Sequence, residues 1–126
     1  MAQFDLSVTD IGKLAIMLVD AGTIILGTPT VHVGPHPGVA YAAMLANMIR
    51  PKAKYVSVVG SYGWATKAVE QLAAMIPNLK VEVLAPVICK GLPTEADLNA
   101  IDALADLVAK KHGESGFPEL PSIRWN

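Results

Sequence analysis

Apolar residues along the chain fall alternately into short, mostly apolar runs and into longer stretches at helical spacing. The runs occupy residues 23–26, 55–59 and 81–84, and each is followed within two residues by glycine or proline. The first of them is apolar and β-branched, which is typical of a strand buried on both faces of a parallel sheet. Apolar positions recur three and four residues apart over residues 11–18, 37–49 and 68–76. This spacing predicts helices between the strands.

The alternation of strand and helix predicts an α/β domain with a parallel, doubly wound sheet. Residues 3–6 are a further short extended candidate, and residues 87–89 are expected to extend the strand at 81–84 beyond Pro86. Within the helix at 37–49, one face carries four larger side chains, which we take as core or helix-face positions: Tyr41, Met44, Leu45 and Met48.

Helix boundaries are marked by capping residues. Thr9 or Asp10 is expected to cap the first helix, and Pro37 suits the first turn of the second. Thr94, with Asp97 three positions later, forms a capping-box signal for a last helix that ends near Gly113. We therefore predict one domain over residues 1–113, followed by a C-terminal tail, residues 114–126, that is either an ordered wrap or a frayed linker.

Composition limits the classes of function. Apolar residues make up 52% of the 126 positions and charged residues 17%, which indicates a globular chain with a core. The formal net charge of −1 is not that of a nucleic-acid-binding surface. The single cysteine, Cys89, cannot form an internal disulfide, so we expect a reducing, cytoplasmic setting.

The mean hydropathy of +0.42 is high enough to ask whether the chain crosses a membrane. A spanning helix needs about 20 mostly apolar residues, and Asp20 interrupts the most hydrophobic stretch, residues 14–26. The first ten residues carry Asp5 and Asp10 and no basic segment, so they do not resemble an export signal. We expect neither a membrane span nor export.

Two unusual loops follow the first two of these strands. Residues 27–37, the first rim segment, combine hydroxyls, prolines and glycines that let backbone amides approach a planar or anionic ligand. Residues 60–64, the second rim segment, read Gly-Ser-Tyr-Gly-Trp, which can stack on a ring and donate amides to its edge. The alternatives are a rigid connection that binds nothing and a Tyr62–Trp64 pair that seals the rim of the sheet. In a parallel sheet both segments belong to the carboxyl edge.

The two rim segments, together with Arg50-Pro51-Lys52 and with residues 93–98, resemble the flavodoxin-like domain of flavodiiron proteins. The resemblance extends over residues 4–111. It implies a flavodoxin-like three-layer sandwich that holds FMN non-covalently and transfers electrons.

The resemblance also implies which residues flank the isoalloxazine ring. In the first rim segment these are Thr28, Pro29, Thr30, Val31, His32 and Gly34. In the second they are Gly60, Ser61, Tyr62, Gly63 and Trp64, of which Tyr62 and Trp64 are the stacking candidates. The chain departs from the family at His32 and Val33, where relatives usually place asparagines, so side-chain amide contacts are lost there.

A larger departure lies upstream. Residues 3–6 look like the second strand of the family, so the first strand and its hydroxyl-rich phosphate loop have no counterpart. In the flavodoxin-like order 2-1-3-4-5 that strand lies inside the sheet. We therefore expect a homo-oligomer, or an upstream or companion polypeptide that supplies the missing strand. Ser7 and Asp10 offer hydroxyl and carboxylate groups at a helix start, and N-capping is the role we assign there.

No self-standing catalytic site is evident. The histidines, His32, His36 and His112, do not have metal-ligand spacing, and we assign His36 to capping and His112 to a helix end. Cys89 has no identifiable base and is interpreted as a small buried hydrophobe. In the family, metal chemistry belongs to a separate domain, so a redox partner with a diiron domain is implied.

Two hypotheses remain from the sequence. The first is an FMN-binding electron-transfer domain, in which the flavin carries the redox chemistry. The second is a flavodoxin-like structural or interaction module that has lost flavin binding together with the phosphate loop.

Overall fold

A computed structural model describes residues 2–8 and 10–115. The helices in this part of the chain are α1 (Ile11–Val19), α2 (Pro37–Ile49), α3 (Ala68–Ala74) and α4 (Glu95–Ser115). The strands are β1 (Thr23–Val31), β2 (Gly34–Pro35), β3 (Tyr55–Tyr62), β4 (Glu82–Val83) and β5 (Val87–Lys90). No helix in the described ranges is long and apolar enough to cross a membrane.

The strands form one mostly parallel sheet in the order β2-β1-β3-β4, and β5 also pairs with β3. β1 and β3 are parallel in register from Thr23 opposite Tyr55 to Pro29 opposite Ser61. β4 and β5 both run parallel to β3, whereas β2 folds back antiparallel to the end of β1. The predicted α/β architecture with a parallel sheet is confirmed.

Helices cover both faces of the sheet and produce three layers. On one face, Leu14 and Leu18 of α1 and Val39 of α2 pack with Ile24 and Val56 in the larger core. On the other face, Leu104 of α4 packs with Tyr55 and Leu84 in a smaller core. Because side chains alternate across a strand, one face of β3 contributes to each core.

The side chains of α2 that face the core are small. They are Val39, Ala42, Ala43 and Ala46. Of the four larger side chains predicted as core or helix-face positions, Tyr41, Met44 and Met48 are exposed. Leu45 is partly buried against the larger core. Apolar residues surround this helix, so periodicity alone does not identify its buried side, and alanines let the helix lie close to the sheet.

Three strand predictions need correction. Residues 3–6 are not a strand, and residues 6–8 form a turn; the fold's inner strand, with which they would pair, is not among the described residues. β1 is not buried on both faces, because Ile25 is 44% exposed. The predicted strand at 81–84 and its predicted extension at 87–89 are two separate short strands, β4 and β5, because Pro86 interrupts the pairing.

Both rim segments are partly strand rather than loop. β1 continues to Val31 and turns through His32 and Val33 into β2, with Val31 opposite Gly34. His32 and Val33 have φ of 48° and 70°. This two-residue connection needs positive φ at both central positions, which glycine and asparagine adopt readily and valine does not.

The predicted helix caps are present where they can be described. The Asp10 side chain accepts a hydrogen bond from the Gly12 amide at 2.8 Å, and His36 Nδ1 accepts one from the Gly38 amide at 3.0 Å. Thr94 and Asp97 cap each other reciprocally at the start of α4. These bonds satisfy amides that have no partner within the helix.

Helix α4 does not end at Gly113 but continues to Ser115. His112 lies in the last turn of α4, as predicted, and is buried there, with its Nε2 2.5 Å from Thr23 Oγ1. The imidazole also packs beside Tyr55, with ring centroids 6.3 Å apart. Gly within a helix costs about 1 kcal/mol relative to Ala, and the contacts of the neighbouring His112 counteract this cost. Residues 116–126 of the predicted tail lie outside the described residues.

Replacing Gly60 should weaken the central strand pair. A Cβ at Gly60 would lie 2.1 Å from the Thr28 carbonyl oxygen, a backbone atom, so Gly60→Ala forces β1 and β3 apart. We expect a loss of about 2–3 kcal/mol of unfolding free energy in urea titrations. Gly63→Ala is the matched control, because no atom lies within 4 Å of its Cβ position. Equal stability of the two variants would contradict the close approach.

Replacing Val33 should stabilise the protein. Val33→Gly removes the steric cost of a β-branched residue at φ 70°. This cost is larger than the free energy that the greater entropy of the unfolded chain takes away, so the free energy of unfolding rises by about 0.5–1 kcal/mol. Val8→Gly serves as the control because Val8 is exposed and has no positive φ. A destabilised Val33→Gly variant in the same denaturant titration would show that the turn is not strained.

Candidate functional site

The carboxyl ends of β1 and β3 bring the two rim segments together. Thr28 lies opposite Gly60 and Pro29 opposite Ser61 in the parallel register. A further bond joins the first rim segment to the residues just after the second, because Thr30 Oγ1 donates to Thr66 Oγ1 at 2.8 Å. The two segments are therefore one rigid edge rather than two independent loops.

The threonine hydroxyls of the first rim segment form hydrogen bonds within the protein. Thr28 is buried, and its Oγ1 donates to the Pro29 carbonyl at 2.7 Å and accepts from the His36 amide at 2.8 Å. Thr30 is committed to Thr66. These side chains hold the strand end to the start of α2 and to the residues just before α3, so they position the edge rather than face a ligand.

The turn of the first rim segment is fixed to α3. The Lys67 amide donates to the Val33 carbonyl at 2.6 Å. Gly34 is buried, and a Cβ there would lie 2.5 Å from Gln71 Oε1. Val31 and His32 remain exposed beside this contact. Of the predicted site residues in this segment, Gly34 is thus a packing position and His32 is accessible.

The second rim segment presents an aromatic side chain to solvent. Trp64 is 84% exposed, so the alternative in which it seals the rim is wrong. Tyr62 ends β3, and its carbonyl accepts a hydrogen bond from the Gly91 amide at 2.8 Å. Gly63 has open space around its Cβ position. The segment therefore offers an indole face next to backbone that a ligand can approach closely.

A cleft of about 460 Å³ lies beside this edge, on the face that α4 covers. Its walls include the ends of β1 and β3 and a third segment that the sequence analysis did not assign to the site: Cys89, Gly91, Leu92, Pro93, Asp97 and Ile101. That segment runs from the carboxyl end of β5 into α4, and loops of a parallel sheet converge at this edge. Position after a strand was the signal that could have identified it.

The cleft contains little reactive chemistry. Asp97 is bonded to the amide and hydroxyl of Thr94. Cys89 is buried, and its Sγ contacts the carbonyl oxygens of Gly60 at 3.4 Å and Gly91 at 3.6 Å. Among the described residues, no group of three His, Cys, Asp or Glu side chains is placed to hold a metal ion. The edge is suited to binding a flat ligand by stacking and backbone hydrogen bonds.

The start of α1 is not arranged for an anion. Asp10 caps the helix, and Ser7 Oγ donates to Asp5 Oδ1 at 2.6 Å. The hydrogen bonds from the Ser7 side chain and amide lower the pKa of the Asp5 carboxyl. Two carboxylates at a helix start repel phosphate, so the hydroxyl there serves the local turn.

The chain is similar in sequence to two curated proteins, and no family model matches it. It is 33% identical over 92 residues to rubredoxin-oxygen oxidoreductase of Megalodesulfovibrio gigas, covering 72% of this chain and 23% of that protein. It is 29% identical over 76 residues to an uncharacterized protein of Methanocaldococcus jannaschii, covering 60% and 19%. The chain thus spans less than a quarter of the length of these relatives.

Solved structures share the fold of this chain. Rubredoxin oxygen:oxidoreductase from Desulfovibrio gigas aligns with a TM-score of 0.66 and 26% identity, covering 79% of this chain and 32% of that one. A flavodoxin from the domain Archaea aligns with a TM-score of 0.65 and 23% identity, covering 84% and 73%. The flavodiiron protein from Giardia intestinalis aligns at 0.62 and 23%, covering 75% and 24%.

These matches agree with the mostly parallel sheet and the helices on both of its faces. The chain is therefore a homologue of the flavodiiron protein rubredoxin-oxygen oxidoreductase, and its structure is a flavodoxin-like α/β fold in which the first strand has no counterpart among the described residues.

Proposed function

We propose that this chain binds the isoalloxazine ring of FMN at the carboxyl edge of its sheet and serves as an electron-transfer domain. The observation that carries the proposal is Trp64, an indole that is 84% exposed at the end of the central strand. An exposed tryptophan on a rigid, glycine-rich edge is suited to stacking on a flat ring. The homology to a flavodiiron protein supports the same ligand.

The residues of the second rim segment fit the ring end of FMN. Trp64 and Tyr62 are the side chains that would stack on it, and Gly63 leaves the backbone open to approach. Ser61, paired to Pro29 at the strand ends, would offer its hydroxyl at the ring edge. When bound, FMN supplies the one- and two-electron chemistry, and this chain supplies stacking, orientation and an apolar wall.

In the first rim segment, backbone groups are the contacts we assign to the flavin. The hydroxyls of Thr28 and Thr30 are engaged within the protein, while Pro29, Val31 and His32 are exposed. Because the scaffold already holds these strand ends, a bound flavin would not need to order them, which favours binding.

The phosphate end of FMN has no holder among the described residues. A phosphate bound by a helix N-terminus and charge-assisted hydrogen bonds contributes a few kcal/mol, equivalent to two or more orders of magnitude in Kd. We therefore expect the chain alone to bind FMN weakly. Polypeptide from outside the described residues, either a second copy or a companion segment that supplies the missing strand, would restore tight binding.

The second candidate function is a structural or interaction module without a flavin. The observation that favours it is the internal use of both threonine hydroxyls in the first rim segment, because side chains that hold the fold are retained whether or not a ligand binds. In this alternative Trp64 contacts a protein partner instead.

The setting we propose is a cytoplasmic redox complex. In this setting, which the resemblance to flavodiiron proteins suggests, metal-dependent reduction would take place on a partner with a diiron domain. This chain would then accept or deliver electrons and carry out no substrate chemistry by itself.

Trp64→Ala should weaken FMN binding about 10-fold, because a stacked aromatic contact contributes about 1–1.5 kcal/mol. Quenching of flavin fluorescence during titration with the purified chain measures the Kd. Tyr41→Ala is the control, since Tyr41 is an exposed aromatic residue on α2 and belongs to neither rim segment.

Two outcomes would contradict the proposal. Absence of flavin quenching at high protein concentration, both alone and with polypeptide that completes the sheet, would favour the module without flavin. Equal binding by the Trp64→Ala and Tyr41→Ala variants would remove the stacking role of Trp64.

A further inference from the structure

Helix α2 is apolar on its outer side as well as on its inner side. Residues 37–49 include no charged side chain. Tyr41, Met44 and Met48, spaced by three and four residues, share the side of the helix that is opposite the alanines facing the core, and all three are exposed. A helix that is apolar all round is usually buried on all sides. The outer side of α2 is therefore suited to contact with another molecule.

Helix α1 extends this apolar surface. Both helices end where a parallel strand begins, so they run side by side in the same direction, and the Lys52 amide donates to the Val19 carbonyl at 3.5 Å where they end. Ile16 is 73% exposed, on the opposite side of α1 from Leu14 and Leu18, which face the core. We call the four exposed side chains the outer face: Ile16, Tyr41, Met44 and Met48.

The exposed area of the outer face is large enough for a stable dimer. Met48 is 74% exposed, Tyr41 53% and Met44 52%. Side chains of this size each have on the order of 200 Å² of surface, so the outer face presents roughly 500 Å² of apolar surface to solvent. A standard interface buries about 800 Å² on each partner, of which a little over half is apolar. The outer face thus supplies the apolar area of one side of such an interface.

We propose that two copies of this chain associate through the outer face, with α2 packed antiparallel to α2 of the second copy about a twofold axis near Met44. Met44 lies three residues after Tyr41 and four before Met48. In this arrangement Met44 meets its own counterpart, and Tyr41 of each copy lies against Met48 of the other. A thioether beside an aromatic ring is a favourable contact, and the symmetry supplies it twice.

Charges at the two ends of the outer face favour the antiparallel orientation. Arg50 and Lys52 follow the C-terminal end of α2 and outnumber the Asp20 carboxylate at the end of α1. At the other end, Leu6 Cβ lies 3.8 Å from the Cβ position of the second residue of α2. This contact places the exposed Asp5 beside the start of the helix. In an antiparallel pair, the basic end of each copy faces the acidic end of the other.

Dimer formation does not depend on the flavin. Tyr41, Met44 and Met48 belong to neither rim segment, and the cleft lies on the other face of the sheet, which α4 covers. Failure of the dimer would therefore leave the proposed function standing, and failure of flavin binding would leave the dimer standing.

Sedimentation equilibrium of the full chain tests for the dimer, which should form reversibly as the concentration is raised. Met44→Glu should raise the dimer Kd at least 10-fold, because it places two carboxylates against each other at the axis. Leu98→Glu is the matched control, since Leu98 is 53% exposed, against 52% for Met44, and lies on α4. Circular dichroism and thermal unfolding establish that both variants fold. A chain that stays monomeric, or an equal Kd in the two variants, would overturn the proposal.

Cysteine cross-linking tests the orientation. Met44→Cys should form a disulfide between copies under mild oxidation, because the two positions meet at the axis. Met48→Cys is the matched control: with a rise of 1.5 Å per residue, its two copies are roughly 12 Å apart along antiparallel helices, beyond the reach of a disulfide. The native Cys89 is buried. Equal cross-linking of the two variants would indicate a parallel pair and overturn the antiparallel arrangement.

Other occupants of the outer face give distinct results. A monomeric chain that sediments with phosphatidylcholine vesicles, and loses this association in Met44→Glu, would assign the outer face to a lipid surface and overturn the proposal. A chain that dimerises only after removal of residues 116–126 would assign the outer face to the chain's own end, with the same consequence.

Discussion

The close parallel pairing of β1 with β3 is the constraint on which the rest of the molecule depends. At Thr28 and Gly60 the two strands approach so closely that only a residue without a side chain fits. This contact sets the position of both strand ends, and from these ends extend the turn at Val33 and the exposed Trp64. The larger core lies against one face of the same pair and α4 lies against the other, so the pair supports both layers of helices.

At the carboxyl edge, some side chains hold the structure together, and other groups are available to a ligand. Thr28 and Thr30 are hydrogen-bonded within the protein, although their hydroxyls are what make the segment resemble a ligand-binding loop. What remains accessible is an indole, open backbone and an apolar cleft. This combination suits a cofactor whose chemistry is its own, because the protein needs only to hold and orient it.

Much of the fold could be predicted from the sequence, and the exceptions have identifiable causes. The bounds of α2 and the capping roles of Asp10 and His36 follow from local rules that the structure obeys. Residues 3–6 fail as a strand because a strand needs a neighbour, which no local pattern can guarantee. Cys89 and Leu92 were missed at the cleft because they lie far from the two rim segments in sequence, and only the assembled sheet brings them together.

The contact between Thr23 and His112 joins positions 89 residues apart. During synthesis, α1 and α2 can cover their face of the sheet early. The opposite face stays uncovered until α4 has left the ribosome. A nascent chain therefore passes through a stage in which Tyr55 and the neighbouring apolar side chains have no cover. Packing of α4 ends this stage, and the contact of His112 with Thr23 holds the last turn of α4 at the beginning of β1.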